Sequence, residues 1–323
     1  LLQKTDGNTV ASVADGVLTL TSYLDSNMEL QPVTSDDYEA RIGNTYYDTL
    51  SEALTYAKAN GGVILLLKDV TVNPGDLHFA NSLSSPVIID GGKNKYRIIP
   101  AEDWSESTSV YKTNVIIMDT TADGELTFKN VTFSGINEPE LSITIAQAKK
   151  AGSTQKLVFD SCVFRDNTLK HIASAEGSVP TAALEFKNCE FSGNTSAKQG
   201  EPALIYSSSG YANQTVLTGN TFRNNDSPVI YVKSTTPAEA LTISGNSFDF
   251  TGGSAAMMIG GTVTLEDNVY SGTAEIYIRA NADVTCNETV SGNVMMENGA
   301  ALSGAGRIDG DVTVYCTADT KET

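Results

Sequence analysis

Two arginines and their polar neighbours are the residues whose types and spacing best fit ligand chemistry. Arg165 and Asp166 lie in "VFRDN", Arg223 and Asn224 lie in the similar "TFRNN", and Asp226 follows closely. A guanidinium donates paired hydrogen bonds to a carboxylate, so two aligned arginines would bind an acidic sugar. The alternative is a solvated face on which Arg and Asp pair with each other, which contributes little to stability.

The single tryptophan is a second candidate for ligand binding. Trp104 lies in the polar segment "AEDWSESTS", where an exposed indole would contact a carbohydrate. The alternative is that its ring plugs the side of the protein core. His171 could serve as a general base, but the sequence shows no carboxylate that would orient it. We therefore name no catalytic residue.

The cysteines and histidines do not have the spacing of a metal site. Cys162, Cys189, Cys286 and Cys316 follow neither a CxxC pattern nor a pattern with nearby histidines, and the chain has two histidines. A zinc site usually needs such a cluster. We predict no metal site and no cofactor, although the acidic composition would also allow weak calcium binding.

The composition excludes several classes of partner. The chain has 39 Asp and Glu against 21 Lys and Arg, a net charge of -18. This charge repels nucleic acids and anionic membrane surfaces. No apolar run reaches the roughly 18 residues of a membrane span. We therefore expect neither a nucleic acid partner nor a membrane span. The first residue is not Met, and we expect that a targeting segment has been removed.

One helix precedes a long series of strands. In "DTLSEALTYAKAN", at 48–60, Thr49 and Glu52 have the spacing of a capping box. The residues that fall on one apolar face are Leu50, Ala53, Leu54 and Ala57. Residues 1–40 alternate loosely and predict short strands that cap one end of a longer structure. Residues 317–323 are expected to form a tail.

The remaining chain, 41–316, repeats one pattern of short strands. "LTFKNVTFSG", "LVFDSCVFRDN" and "LEFKNCEFSGN" are near copies of one another. Their aligned last aromatics, with those of later copies, are Phe133, Phe164, Phe191, Phe222, Phe248 and Tyr270. A period of about 20 to 30 residues with three strands per unit predicts a parallel β-helix. Long insertions at 136–153 and 168–182 would gather on one binding face.

Two columns of residues test this alignment. Three residues before each aromatic stand Asn130, Ser161, Asn188, Gly219, Gly245 and Asp267. Apart from Ser, these residue types tolerate a left-handed backbone, so we predict one sharp corner per coil at this column. Two residues before each aromatic stand Val131, Cys162, Cys189, Asn220, Asn246 and Asn268. If this second column points inward, like residues stack about 4.8 Å apart.

The inward column predicts two kinds of contact. Asn220, Asn246 and Asn268 would form a ladder of side-chain hydrogen bonds, which satisfies amides that are otherwise costly to bury. Cys162 and Cys189 would lie one above the other at a separation compatible with a disulfide. The alternative is that both are free core thiols.

Three segments resemble known families. "ARIGNTYYDTLSEALTYAKANGGVILLLKDVTV" resembles the opening module of secreted surface proteins of Gram-positive gut bacteria, and "PVIIDGGKNKYRII" is similar to the first coil of pectin-lyase-like proteins. "FRDN", "FSGN" and "FRNN" resemble the FxxN motif of polymorphic outer-membrane adhesins, from which "FDFT" and "YSGT" depart. The resemblance implies an all-β, right-handed, single-stranded parallel β-helix with a short N-terminal capping helix. It also implies a protein that is secreted or lies on a bacterial surface, with a polysaccharide or a host surface glycan or protein as the expected partner.

The resemblance does not extend to the enzymatic motifs of this fold. The NTD, GHG and RIK motifs of galacturonan hydrolases are absent, and no paired DD occurs within the repeats. We therefore favour a non-catalytic protein, which is adhesin-like, glycan-binding or a structural stalk. The alternative is a polysaccharide lyase or glycoside hydrolase that acts on an acidic polysaccharide with an unfamiliar set of residues.

Overall fold

The computed structural model describes residues 37–80, 82–118, 124–146, 155–175, 183–199, 202–207, 214–233, 241–249, 256–272 and 274–315. It also gives the backbone of four short antiparallel strands, at Leu2–Gln3, Thr9–Ala14, Val17–Leu20 and Gln31–Pro32. The other residues of 1–36 and the expected tail 317–323 lie outside the described residues, as does Cys316.

The described strands stack into three long faces, which we call sheets 1, 2 and 3. Sheet 1 contains Ala40–Ile42, Thr45–Tyr47, Gly62–Leu66, Val87–Asp90, Gly124–Lys129, Gln155–Asp160, Ala183–Lys187, Gln214–Thr218, Leu241–Ser244, Thr262–Glu266, Asp283–Cys286 and Ala301–Ser303. Its first two strands are antiparallel to their neighbours, and the others are parallel.

Sheets 2 and 3 complete each coil. Sheet 2 contains Leu77–Phe79, Asn114–Met118, Asn137–Ala146, Thr168–Ala175, Thr195–Ser196, Ile205–Ser207, Ile230–Val232, Ala256–Ile259, Ala274–Ile278, Gly292–Glu297 and Val312–Tyr315. Sheet 3 contains Thr132–Ser134, Val163–Arg165, Glu190–Ser192, Thr221–Arg223, Ser247–Asp249 and Val269–Ser271. Shorter pairs join Val70–Val72 to Ile98–Pro100 and Thr289–Val290 to Arg307–Ile308. The predicted parallel β-helix is therefore confirmed.

The predicted helix, α1, covers the first coils. It runs over Leu50–Asn60, and the Thr49 hydroxyl accepts a hydrogen bond from the Glu52 backbone N–H at 3.2 Å. The buried face consists of Leu50, Ala53, Leu54 and Ala57, as the apolar pattern predicted. Gly61 ends the helix with φ at +72°. The described residues also contain a short 3-10 turn at Trp104–Glu106.

The predicted corner column has left-handed backbone angles throughout. Its members have φ values between 51° and 67°, and they are Asn130, Ser161, Asn188, Gly219, Gly245 and Asp267. Ser161, the exception by residue type, still has φ at 58°. A second left-handed column lies two residues after the aromatics, and it consists of Gly135, Asp166, Gly193, Asn224 and Gly272. Two neighbouring corners thus flank sheet 3 in the coils that contain Phe133, Phe164, Phe191, Phe222 and Tyr270.

Stacked aromatic rings fill the core. The predicted aromatic column stacks with successive ring centroids 4.6 to 5.4 Å apart, from Phe133 to Tyr270. A second stack in sheet 1 consists of Phe128, Phe159 and Phe186, and its rings meet the first stack edge to face. The edge-to-face contacts hold two walls of the coil together.

The predicted asparagine ladder is confirmed. The Nδ2 of Asn220 donates to the Oδ1 of Asn246, and the Nδ2 of Asn246 donates to the Oδ1 of Asn268, both at 2.9 Å. The ladder continues to a residue that the sequence analysis did not include, because the Nδ2 of Asn268 donates to the Glu288 carboxylate at 2.8 Å. Glu288 stands two residues before Val290, so it occupies the same column.

The disulfide interpretation of Cys162 and Cys189 is wrong. Both are free, buried thiols, and each donates to a backbone carbonyl, of Phe128 at 3.2 Å and of Phe159 at 3.3 Å. Burial, assisted by the neighbouring Cys189, raises the pKa of the Cys162 thiol well above its ordinary value. Cys162 therefore packs as a protonated core residue, and Cys189 is a second buried thiol beside it.

A second ladder lies three residues after the aromatics. The Nδ2 of Asn167 donates to the Oδ1 of Asn194 at 2.9 Å, and the Nδ2 of Asn194 donates to the Oδ1 of Asn225 at 3.0 Å. All three side chains are buried. The sequence analysis quoted these residues in FRDN, FSGN and FRNN but did not recognise that they stack. Their recurrence at one distance from the aromatic was the available signal.

Candidate functional sites

The two candidate arginines share one column of sheet 3, as their alignment predicts. Arg165 pairs with Ser192 on the next coil, and Ser192 pairs with Arg223 on the coil after that. Their side chains are 55% and 51% exposed, so both guanidinium groups lie at the surface. Sheet 3 therefore presents two exposed cations two coils apart.

Carboxylates already accompany both arginines. The Nε of Arg165 lies 3.5 Å from the Asp166 carboxylate, and the Arg223 guanidinium bonds to the Glu190 carboxylate on the preceding coil. The hydrogen bond from Arg223 lowers the pKa of Glu190. This arrangement favours the alternative of a solvated face with internal ion pairs over a grip on an acidic sugar.

The other candidates of this group have structural roles at the corners. Asp166 and Asn224 have φ at 55° and 51°, which explains why short polar residues stand there. A Cβ on Gly193 would lie 2.5 Å from the Asp166 Oδ1, so glycine leaves room for this carboxylate. The Asp226 side chain is exposed, and its backbone N–H donates to the Asn194 carbonyl at 2.9 Å.

Trp104 is buried rather than exposed. The 3-10 turn at Trp104–Glu106 directs the indole inward, where it is 1% exposed, and its Nε1 donates to the Lys112 carbonyl at 2.7 Å. The expectation of an exposed sugar platform is therefore wrong, and the plug interpretation is confirmed. The hydrogen bond satisfies the one polar atom of the ring.

A cavity of about 230 Å³ nevertheless opens beside Trp104. Its lining residues are Trp104, Ser105, Lys112, Thr113, Glu138, Glu140 and Leu141. The two carboxylates come from the strand Asn137–Ala146, whose pairing with the next strand is irregular between Glu138 and Ser142. Such irregularities change the direction of side chains. The cavity is of monosaccharide size, and its lining is mainly apolar with two carboxylates and one ammonium among its residues.

The sequence analysis missed Lys112, Glu138 and Glu140. The two glutamates lie in the insertion 136–153, which was expected to contribute to a binding face. Their proximity to Trp104 arises from stacking of one coil on the next, and no local pattern reports it. The insertion therefore indicated the region of the cavity, but it did not identify the residues that line it.

His171 belongs to a buried aromatic cluster. Its ring stacks on Tyr206 at 5.0 Å, and its Nδ1 lies 2.8 Å from the Ala203 carbonyl. The side chain is 2% exposed, so it does not face substrate. Tyr206 packs in turn against Tyr231, which Arg279 contacts through its guanidinium. These contacts give His171 a packing role.

Neither a metal cluster nor a membrane helix occurs in the described part of the chain. No group of three or more His, Cys, Asp or Glu residues among the described positions could hold a metal ion. Similarly, no helix among those positions has both the length and the apolar character of a membrane span.

Comparison with known proteins agrees with the architecture. No curated protein and no solved structure matches the chain. The sequence matches one family, described as the right handed beta helix region, over residues 114–294. This match covers more than half of the chain, and it includes the stacked aromatics, the thiol pair and both ladders. This match and the parallel coils of the structure show that the chain belongs to the right handed beta helix family.

Proposed function

We propose that this chain is a non-catalytic β-helix protein, secreted or on the surface of a bacterium, that binds a glycan. The observation that carries the proposal is the cavity beside Trp104. An apolar aromatic wall with a few convergent polar groups is the usual composition of a small-ligand site. In the cavity, Glu138 and Glu140 would accept hydrogen bonds from sugar hydroxyls, while Lys112 would donate one.

The charges of the cavity favour a neutral or amino sugar. Glu138 and Glu140 outnumber Lys112 there, and the chain as a whole carries a net charge of -18. An acidic polysaccharide would meet repulsion from both. The alternative function is a polysaccharide lyase or glycoside hydrolase that acts on an acidic polysaccharide. This charge preference and the ion pairs of Arg165 and Arg223 argue against it.

Glycan binding and turnover can be measured on the same variants. We expect the wild-type chain to bind neutral or amino sugars on a glycan array without releasing product. Glu138→Gln with Glu140→Gln should weaken binding about tenfold, because each substitution removes part of a hydrogen-bond acceptor set. Glu102→Gln is the matched control, since Glu102 is exposed and does not line the cavity.

Two outcomes would contradict the proposal. Equal binding by the double variant and the Glu102→Gln control would place the glycan elsewhere or show that none binds. Release of reducing ends by the wild type, abolished by Glu138→Gln or Glu140→Gln, would instead identify a glycoside hydrolase. The thermal midpoint of each variant serves as the folding control. A variant that keeps the wild-type midpoint is folded, so its loss of binding is not due to unfolding.

A further inference from the structure

A larger cleft lies between α1 and the first coils. It has a volume of about 410 Å³. Its lining includes Thr55, Lys58, Ala59, His78, Phe79 and Leu83. Three come from one side of α1, and the others come from the strand Leu77–Phe79 and the segment after it. The cleft shares no residue with the cavity beside Trp104.

Lys58 places a partly buried cation in this cleft. Its Nζ donates to the His78 carbonyl at 2.7 Å and stands 4.8 Å from the centroid of the Phe79 ring. An ammonium has three donors, and the His78 carbonyl occupies one of them. In the described segments, Lys58 forms no ion pair with a carboxylate. Its charge is therefore held beside the cleft by a carbonyl and a ring.

Partial burial increases what this ammonium would gain from an anion. Burial lowers the pKa of Lys58, and the charge of Asp76 offsets part of that change. An attractive interaction between charges is stronger where water is partly excluded. Ala59, Phe79 and Leu83 give the wall apolar groups that suit a ring or short chain, beside the polar Thr55 and Ser82.

We propose that the cleft between α1 and the first coils binds a small monocarboxylate with an apolar ring or chain. The Lys58 ammonium pairs with the carboxylate, and the apolar wall packs against the remainder of the ligand. This site is independent of the proposed glycan site, because its lining residues and its charge are different. The cleft volume falls in the range typical of small-molecule sites, about 300 to 1,000 Å³.

Titration calorimetry with benzoate tests the proposal on the whole chain. We expect benzoate to bind, and its neutral counterpart benzamide to bind at least tenfold more weakly. Lys58→Met should weaken benzoate binding at least tenfold, because it keeps the length of the side chain and removes the charge. Lys129→Met is the matched control and should leave binding unchanged, since Lys129 is exposed on sheet 1.

Several results would overturn the inference. These are no binding of benzoate at millimolar concentration, equal binding of benzamide, or unchanged binding by Lys58→Met. Inorganic phosphate binding as tightly as benzoate would overturn the choice of a carboxylate with an apolar group. None of these results bears on glycan binding, which depends on Glu138 and Glu140.

A second variant keeps the test valid if Lys58→Met unfolds, since Lys58 also holds α1 against the first coils. Ala80 lines the cleft and is exposed, so Ala80→Phe should fill the space without removing the charge. We expect this variant to keep the wild-type thermal midpoint and to lose benzoate binding. Wild-type binding by a folded Ala80→Phe variant would overturn the location of the site.

Discussion

Two stretches of one inward column solve the same packing problem with different chemistry. Cys162 and Cys189 occupy the column in earlier coils, and Asn220, Asn246 and Asn268 occupy it in later ones. A thiol and an amide both donate to a backbone carbonyl, as Cys189 does at 3.3 Å and Asn246 does at 3.0 Å. From Cys162 to Asn268, every residue of this column is therefore a small donor.

The difference lies in the acceptor that the amide adds. The Oδ1 of Asn246 accepts from both the backbone N–H and the Nδ2 of Asn220, each at 2.9 Å. The thiols of Cys162 and Cys189 supply no comparable paired acceptor to the preceding coil. Each asparagine thus bonds to the coils on both sides of it, whereas each thiol donates to a carbonyl of the preceding coil. The comparison predicts that the two stretches respond differently to substitution.

The largest effect is expected in the middle of the ladder. Asn246→Leu removes the acceptor of two Asn220 donors and leaves them buried. Each unsatisfied buried group costs about 1–3 kcal/mol, so the free energy of unfolding should fall by about 3–5 kcal/mol. Urea unfolding of the variant and wild type measures this loss. A loss below 1 kcal/mol would show that water or repacking replaces the ladder.

The second largest effect is expected from high pH at Tyr270, which lies beside Glu288 at the end of the ladder. Burial, followed by the nearby Glu288 carboxylate, raises the pKa of Tyr270 well above its ordinary value of 10.0. Since the folded pKa is the higher one, the stabilisation is complete below pH 10 and decreases as the pH rises above it. One pH unit above 10 should cost about 1.4 kcal/mol.

The Tyr270→Phe variant isolates this contribution. Urea unfolding at pH 8 and pH 11 should show a smaller pH-dependent loss in Tyr270→Phe than in the wild type. Other tyrosines contribute equally to both proteins, so they cancel in the difference. The same pH dependence in both proteins would show that Tyr270 is not held neutral by the fold.

The thiol stretch should tolerate substitution better than the amide stretch. Cys162→Ala removes one sulfur and one weak donor, so we expect a loss of about 1–2 kcal/mol. Thiol labelling should be slow in the folded protein, because both Cys162 and Cys189 are buried and Cys162 is held protonated. A loss as large as that of Asn246→Leu would remove the contrast between the two stretches.

The smallest effect is expected outside the column, on sheet 3. Arg223→Ala breaks the surface pair with Glu190, and exposed pairs contribute about 0–1 kcal/mol. We therefore expect less than about 1 kcal/mol of destabilisation in urea unfolding at 0.15 M salt. Arg165→Ala is the matched variant on the same column. A markedly larger loss for either arginine would assign it a structural role beyond this pair.

The sequence predicted features that backbone geometry imposes on residue type. Left-handed corners restrict the choice to a few residues, so Asn130 and Gly219 could be aligned without a structure. The ladder of Asn220, Asn246 and Asn268 followed from the same count. Glu288 could have been found by extending that count by one coil, because its carboxylate takes the place of an amide.

The candidate sites were harder to predict because they depend on contacts between coils. Trp104 occurs once, so no repeated column revealed that it is buried. Glu138 and Glu140 approach it through stacking of strands that are distant in sequence. Asp166 and Asn224 were predicted to bind a ligand because the residue at this position varies between coils. Their left-handed backbone angles explain instead why short polar residues stand there.

Glu288 gives the inner ladder a direction and an end. Every amide of the ladder donates one N–H toward the C-terminal coils, and that of the last amide, Asn268, meets the Glu288 carboxylate. Because a carboxylate has no N–H, it cannot pass the same bond to the next coil. The aligned position there is Gly306, where a Cβ would lie 2.3 Å from the Glu288 carbonyl oxygen. One acidic side chain thus sets how many coils this polar chain of amides can join.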